Sequence, residues 1–302
     1  MRPITINDIR SKVSFCGKII GRKDNLFNKV GDKDHIEKET LDWINMTNKN
    51  PLAYLANSPA LVIICPDSIE KDIPQKILDS KTILLTDNPN LLFSKIVNTF
   101  FVVNQKSAIH KTAIIDTEAV IGKNVSLGAN VVIGKAKIGN NVVILPNVWI
   151  GDNVEIGNNV LIKTGASIGN PGFGFVRDKD GTLEKFPQVG NLIIEDNVEI
   201  GANTCVDKGS LSTTVIGQGT KINNLCHIAH NVITGKNVVV TGQVNISGST
   251  IIENNAWIGP NASLRGHQII GKNATIGAGA VVTKNVPEGE TWVGNPAKKL
   301  TK

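Results

Sequence analysis

Aliphatic residues return at every sixth position along most of this chain. From Ile216 the steps run through Ile222, Ile228, Thr234, Val240, Ile246, Ile252, Ile258, Leu264, Ile270, Ile276 and Val282, and only Thr234 breaks the aliphatic pattern. An earlier run, Ile109, Ile115, Ile121, Leu127 and Ile133, keeps the same step. After a slip of one residue it resumes at Ile138, Ile144, Ile150, Ile156, Ile162 and Ile168, and a third stretch gives Ile194, Ile200 and Val206. Glycine often follows the aliphatic residue, as at 121–122, 150–151 and 258–259. A helix face repeats near 3.6 residues and a strand face at 2, so a sustained six fits neither alone. It fits a solenoid whose flat faces are each one short strand with one aliphatic side chain turned inward. Three faces make a coil of about eighteen residues, stacked at about 4.8 Å. Gly and Asn are expected at the corners, where they accept positive φ most cheaply. A β-sandwich with accidental spacing would not hold so many positions in phase.

Two segments interrupt the rhythm. Residues 169–190, GNPGFGFVRDKDGTLEKFPQVG, read as a protruding loop, in its plainest form a hairpin with a DG turn. Residues 207–214, DKGSLSTT, make a shorter break. Insertions in a solenoid gather on one face, often the binding face. Residues 1–104 lack the repeat and look like a small α/β domain, with strands at ALVIIC (60–65) and KTILLT (81–86). Asp87 or Asn88 is placed to cap a following helix with Pro89 in its first turn. The expected organisation is an α/β domain at 1–104, an all-β solenoid at 105–286 carrying the inserted loop, and a tail at 287–302, with the boundary near Asn104 to Ala108.

The composition narrows the class. Aromatics are only 4% and β-branched aliphatics are abundant, which favours strands. The net charge is +6 (32 basic, 26 acidic), but the basic residues are scattered, so no nucleic-acid partner is expected. Cys16, Cys65, Cys205 and Cys226 have no CxxC spacing and read as reduced thiols. MRPITINDIR has no apolar signal core and no stretch reaches membrane-spanning length, so a cytoplasmic protein is the expectation.

Three of the five histidines fall in the densest part of the repeat: His227 and His230 in LCHIAHNV, and His267 in LRGHQI. With Ile228 inward, His227 and Ala229 should point outward. His230 and His267 are 37 residues apart, one more than two coils, and should share an edge roughly 10 Å apart. Such histidines fit a proton acceptor in acyl transfer, with nearby donors for the oxyanion. They also fit a zinc site or satisfied corner residues. The 227/230/267 spacing suits zinc poorly, no His/Cys cluster has ligand spacing, and no metal is expected.

Several motifs, in order and spacing, resemble the UDP-3-O-acylglucosamine N-acyltransferases of lipid A biosynthesis: IGNPGFGFV, KFPQVG, IIEDNVEIGANTCVDKGSLSTTVIG and INNLCHIAHNV. The likeness runs from about 105 to about 290, and YLANSPALVII and ILLTDNPNLLFSKI resemble that family's nucleotide-recognising domain more loosely. The resemblance implies a left-handed β-helix, a homotrimer with active sites between subunits, and acyl transfer from a thioester to the amine of a UDP-linked sugar. It implies no permanently bound cofactor, the thioester of acyl carrier protein or CoA serving as co-substrate. By motif, His230 would be the general base and His267 the second active-site histidine. Asn223, Asn224, Phe173, Phe175 and Gln188 would bind substrate.

The chain departs from that pattern in four places. Asn170-Pro171 replaces a serine-aspartate, and Asn223 stands where an aspartate is expected. A stacking tyrosine is missing from its usual run, with Trp43 and Tyr54 nearby. A C-terminal carrier-docking helix has no counterpart, and the tail WVGNPAKKL instead resembles acetyl-CoA-using sugar acetyltransferases, with Lys298 and Lys299 placed to hold the carrier. Two alternatives stand beside the lipid A reading: a surface-polysaccharide N-acyltransferase using acyl-CoA, and, from another class, a zinc-binding or non-enzymatic β-helix protein.

Overall fold

The computed structural model describes residues 2–15, 17–32, 34–102 and 107–301. The chain divides into two compact units, Met1–Gln105 and Lys106–Lys302. Cys16 and most of the expected boundary at Asn104 to Ala108 lie outside the described residues.

The N-terminal unit is built on one five-stranded sheet. Its order is Lys18–Gly21, Thr82–Thr86, Val62–Pro66, Thr40–Trp43 and Lys29–Val30. The first strand runs antiparallel to Thr82–Thr86 and the others are parallel. The two central strands are buried throughout, as their unbroken apolar runs require. Asn88 caps the helix Pro89–Phe100, accepting from Leu91 N–H at 3.0 Å, with Pro89 in the first turn.

The second unit is a left-handed parallel β-helix. Its strands fall into three sheets of eight, ten and nine strands. Pairs such as Val239↔Trp257↔Thr275, Asn245↔Ser263 and Ile233↔Ile251↔Ile269 repeat the step of eighteen. The faces are named here by one coil's inward residues: the Ile222, Ile228 and Thr234 faces. Those aliphatic residues form one continuous core, most of them at most 2% exposed. Thr234 keeps its place because its buried Oγ1 accepts the Gly217 N–H at 2.9 Å.

The corners are turned by the two residue types the sequence suggests, Asn and Gly, with Gly165, Gly219 and Gly279 at positive φ. Positive φ is carried mainly by asparagine: thirteen of the seventeen non-glycine residues with positive φ among the described ones are Asn. Most glycines that follow the inward aliphatic residue have ordinary φ. They are small because the coils stack closely, and a Cβ on Gly259 would lie 2.6 Å from Ile276 O. Ala229 obeys the same constraint. Expected to point outward, it is buried at 8% exposure, because strand alternation ends where the corner begins.

The loop at 169–190 is a hairpin, Phe175–Arg177 against Leu183–Lys185, turning at Asp180-Gly181 with Gly181 at φ +90. The solenoid ends in a second hairpin, Thr291–Val293 with Lys298–Lys299, added to the Ile222 face.

Candidate active site

His230 lies at the corner between the Ile228 and Thr234 faces and is half-buried. Its Nδ1 lies 2.9 Å from Asn231 Oδ1. That oxygen also accepts from Ser210 N–H (3.2 Å) and Ser210 Oγ (2.8 Å). Asn231 Nδ2 donates to Ser212 Oγ, and Asn231 N–H donates to Thr214 Oγ1 at 2.8 Å. A backbone N–H can only donate, so the group facing Ser210 is the amide oxygen. Nδ1 must then carry the proton, which leaves the Nε2 lone pair free. The DKGSLSTT break supplies these serines. A segment that reads as a mere interruption is what fixes the histidine's tautomer.

The position one coil on from His230 is Gly248, and the next is Gly266. A Cβ on Gly248 would lie 2.7 Å from His230 Cε1, 2.8 Å from Nε2 and 3.1 Å from Nδ1, so the imidazole lies against a bare backbone. On the other side, a Cβ on Gly172 of the inserted loop would lie 2.9 Å from His230 Cβ and 3.1 Å from Cδ2. The same column has a second property. At some equivalent corners the N–H is taken by an Asn or Asp side chain of a neighbouring coil, as Lys236 N–H is by Asn254 Oδ1 (2.7 Å) and Lys135 N–H by Asp152 Oδ1 (2.8 Å). Gly266 has no side chain to offer, and the Gly248 N–H has no partner among the described residues. An open donor therefore sits beside the imidazole.

His267 lies on the same edge. It occupies a positive-φ corner (φ +63), is exposed, and donates its N–H to Gly248 O at 3.1 Å. Gln188 reaches the Gly172 side: its Oε1 is buried without a partner among the described residues, 3.0 Å from where a Gly172 Cβ would stand. Phe173 is 84% exposed and packs edge-on against Phe175 at 5.0 Å. Asn223 and Asn224 do not join this group. They form the preceding corner, between the Ile222 and Ile228 faces, where Asn224 Oδ1 accepts Ala202 N–H at 2.7 Å.

His227 is a feature to which the sequence reading gave no role. On the outer surface of the Ile228 face, its Nε2 lies 3.2 Å from Asp207 Oδ2, and Asp207 is buried at 7% exposure. The hydrogen bond to Asp207 raises the His227 pKa above its usual value, against a smaller opposing effect of burial. The pair therefore stabilises the fold fully below about pH 6.5, and that contribution fades as pH rises through the elevated value. Asp207 lies one residue after the inward Val206, a signal that only the folded register turns into a contact.

Lys298 and Lys299 lie on the terminal hairpin. Lys299 pairs with Glu290 at 2.6 Å, and Glu290 also accepts from Trp292 Nε1 at 2.8 Å. Lys298 is exposed. Among the described residues, no three His, Cys, Asp or Glu side chains gather as metal ligands would. Cys226 is buried and Cys205 half-buried.

The N-terminal unit has a cavity of its own, about 360 Å³, lined by residues including Asp42, Trp43, Asn45, Asn48 and Tyr54. Trp43 stacks on Phe93 at 4.0 Å. Asn45 Oδ1 is engaged by Thr47 N–H (3.1 Å) and Asn48 Oδ1 by Asn50 N–H (2.9 Å), so both amide NH₂ groups are left as donors. Two aromatic residues and two amide donors suit a flat ring bearing carbonyls.

The model for the bacterial transferase hexapeptide (six repeats) matches residues 135–170 and 249–284, and that for the hexapeptide repeat of succinyl-transferase matches 118–148. A UDP-3-O-acylglucosamine N-acyltransferase from Methylobacterium nodulans is 44% identical over 140 residues, 46% of this chain and 40% of that protein. One from Caulobacter vibrioides is 55% identical over 139 residues, 46% of this chain and 41% of its own. The chain thus spans about two fifths of the length of these curated relatives. Among solved structures, UDP-N-acetylglucosamine O-acyltransferase from Moraxella catarrhalis superposes with a TM-score of 0.58 at 27% identity, over 64% of this chain and 73% of that one. UDP-N-acetylglucosamine acyltransferase from Bacteroides fragilis gives 0.57 at 27% identity, over 64% and 74%. The solenoid of this chain is a parallel β-helix that matches the bacterial transferase hexapeptide model over part of its length, and it is similar in sequence to UDP-3-O-acylglucosamine N-acyltransferases and in fold to UDP-N-acetylglucosamine acyltransferases.

Proposed function

We propose that this protein is an N-acyltransferase that moves an acyl group from a thioester to the amine of a UDP-linked amino sugar in lipid A biosynthesis, in the cytoplasm. The observation that carries this reading is the His230–Asn231 pair, which holds a proton on Nδ1 and presents a free Nε2 beside an open backbone donor. An ammonium cannot attack a thioester, so the amine must be free of its extra proton. As the nitrogen bonds to the thioester carbon, Nε2 takes a proton from it. The carbonyl oxygen gathers negative charge, which the Gly248 N–H is placed to bind. The carbon–sulfur bond then breaks, and the proton on Nε2 passes to the departing thiolate. His267, Gln188, Phe173 and Phe175 would hold the reactants on this edge. The cavity around Trp43 and Tyr54 would take the uracil.

The test is a matrix of UDP- and dTDP-amino sugars against acyl-carrier-protein and CoA thioesters, read by mass spectrometry. N-acylated UDP-sugar is the expected product, and its absence from every combination would overturn the reading.

The reading includes a homotrimer. The outer surface of the Thr234 face carries Ile193, Val215, Ile233, Ile251 and Ile269 in one column, and the last three are 39–42% exposed. Such an unbroken aliphatic stripe is suited to burial against another copy. A cleft shared between copies would also give a role to Asn223 and Asn224, which lie off the His230 edge of their own chain. Ile251→Glu should convert the trimer to monomer while the fold, read by circular dichroism, persists. A trimer that survives this change in light scattering would rule out the stripe as the contact.

The carrier is acyl carrier protein or CoA. Lys298, exposed on the terminal hairpin and without an ion-pair partner among the described residues, favours phosphate binding, and Lys299 is committed to Glu290. If CoA is the donor, Lys298→Ala should raise KM for the CoA thioester several-fold, while Lys299→Ala does so less. An unchanged KM in both removes the support for CoA.

A further inference from the structure

We infer that Asp42 is a positioning residue for the nucleotide pocket: one oxygen of its buried carboxylate fastens both aromatic residues of that pocket. The inference rests on the proposal that the pocket takes the nucleobase. Asp42 is 1% exposed. Its Oδ1 accepts the Trp43 backbone N–H at 2.7 Å and the Tyr54 hydroxyl at 3.1 Å. Its Oδ2 accepts from Ser58 Oγ at 2.6 Å.

The need for such a fastening follows from the local structure. Tyr54 lies on a helix of seven residues, Pro51–Asn57, which has no side-chain cap at Asn50. A helix so short holds its place through tertiary contacts rather than its own cooperativity. The hydroxyl bond to Asp42 ties it to the strand Thr40–Trp43, which carries the tryptophan. The buried charge is balanced locally. Lys81, also buried, donates to Ser58 O (2.5 Å) and Ala60 O (2.7 Å), and its proton affinity, lowered by desolvation, is partly restored by Asp42. Cys65 also lies in the field of this carboxylate, which with burial pushes its thiol pKa upward. Because the tyrosine hydrogen points at Asp42, its oxygen offers only lone pairs elsewhere. The donors left for a carbonyl-bearing ring are then the amides of Asn45 and Asn48, a pattern that selects against rings presenting only donors at those positions.

The chain contains a single tyrosine, so its ionisation can be read alone. Burial and Asp42 push the Tyr54 pKa up to about 12. Near pH 11, where a free phenol is mostly ionised, the wild-type protein should show little phenolate absorbance at 295 nm. Asp42→Asn, which removes the carboxylate's share of the shift and leaves that of burial, should show more, with folding monitored by circular dichroism. Titration calorimetry with UDP on the full chain should show Asp42→Asn binding about tenfold or more weakly, and Tyr54→Phe, which keeps the ring but loses the bond, weakened in the same direction. The double variant should be no weaker than the weaker single one. Unchanged UDP affinity in both single variants overturns the inference, as does a phenol that ionises identically with and without the carboxylate. If Asp42→Asn does not fold, Tyr54→Phe decides: undiminished affinity for UDP overturns the fastening. If the wild-type protein fails to bind UDP, the nucleotide reading falls instead. The ionisation measurement, which needs no nucleotide, still tests the bond.

Discussion

His230→Ala should cut turnover by about 100- to 10,000-fold with saturating substrates, the usual contribution of a positioned general base. The assembly and the melting temperature should hardly change. His230 is a half-buried corner residue outside the continuous aliphatic core, and its neighbour Asn231 keeps its own bonds to Ser210, Ser212 and Thr214. Asn231→Ala should behave as a weaker version of the same defect. It removes the acceptor that holds the proton on Nδ1, so the ring is free to turn or change tautomer. Near-wild-type turnover of His230→Ala in the product assay would show that the histidine is structural, and the base would have to be sought elsewhere.

Gly248→Ala should be nearly as damaging although it removes neither the imidazole nor the backbone N–H. The added Cβ would lie 2.7 and 2.8 Å from His230 Cε1 and Nε2, closer than real side chains approach. The backbone there is bonded into a stacked coil, whereas the histidine ring is held by the single bond from Nδ1 to Asn231 and can give that up by turning about its side-chain dihedrals. The ring should therefore swing away, and a displacement near 1 Å costs on the order of 100-fold in rate. The change should appear in kcat and leave the melting temperature within a few degrees, since moving the ring relieves the clash. Full activity of Gly248→Ala would mean that the imidazole works from a different place than the one it occupies here.

The solenoid was legible because its signal is redundant. Twelve inward positions in one unbroken phase, with three shorter runs before them, leave no other period that buries them all, and a slip or an insertion shows up as a break. The small N-terminal unit was read from two apolar runs and one capping signal, Asn88-Pro89, each local enough to survive without the rest of the structure. The site was legible only in part. His230 and His267 could be placed on one edge by counting coils. The roles of Ser210, Gly248 and Gly172 could not be found that way, because a serine in a break and a glycine after a corner look like connecting residues. They gain meaning only when stacking puts them against the imidazole. Likewise Asn223 and Asn224 are seven and six residues from His230 in sequence, yet the coil turns a full face between them. Asn and Gly at positive-φ corners were legible, but the glycines that follow an inward aliphatic residue mostly serve close stacking, a steric need that sequence alone does not separate from a conformational one.

The stacked rungs also fix how the chemistry on that edge can vary. Any two groups on one corner of the solenoid are separated by a whole number of coils, so their spacing is quantised in steps of about 4.8 Å. His230 and His267 stand two steps apart, with the rung of Gly248 between. Removing the eighteen residues 249–266 would leave each remaining inward side chain in phase and bring His267 one step closer to His230. Gradual adjustment of that distance is closed to this architecture. A relative suited to a longer or shorter reactant has to gain or lose a full rung, or reshape the one part of the edge free of the lattice, the hairpin that carries Phe173 and Phe175.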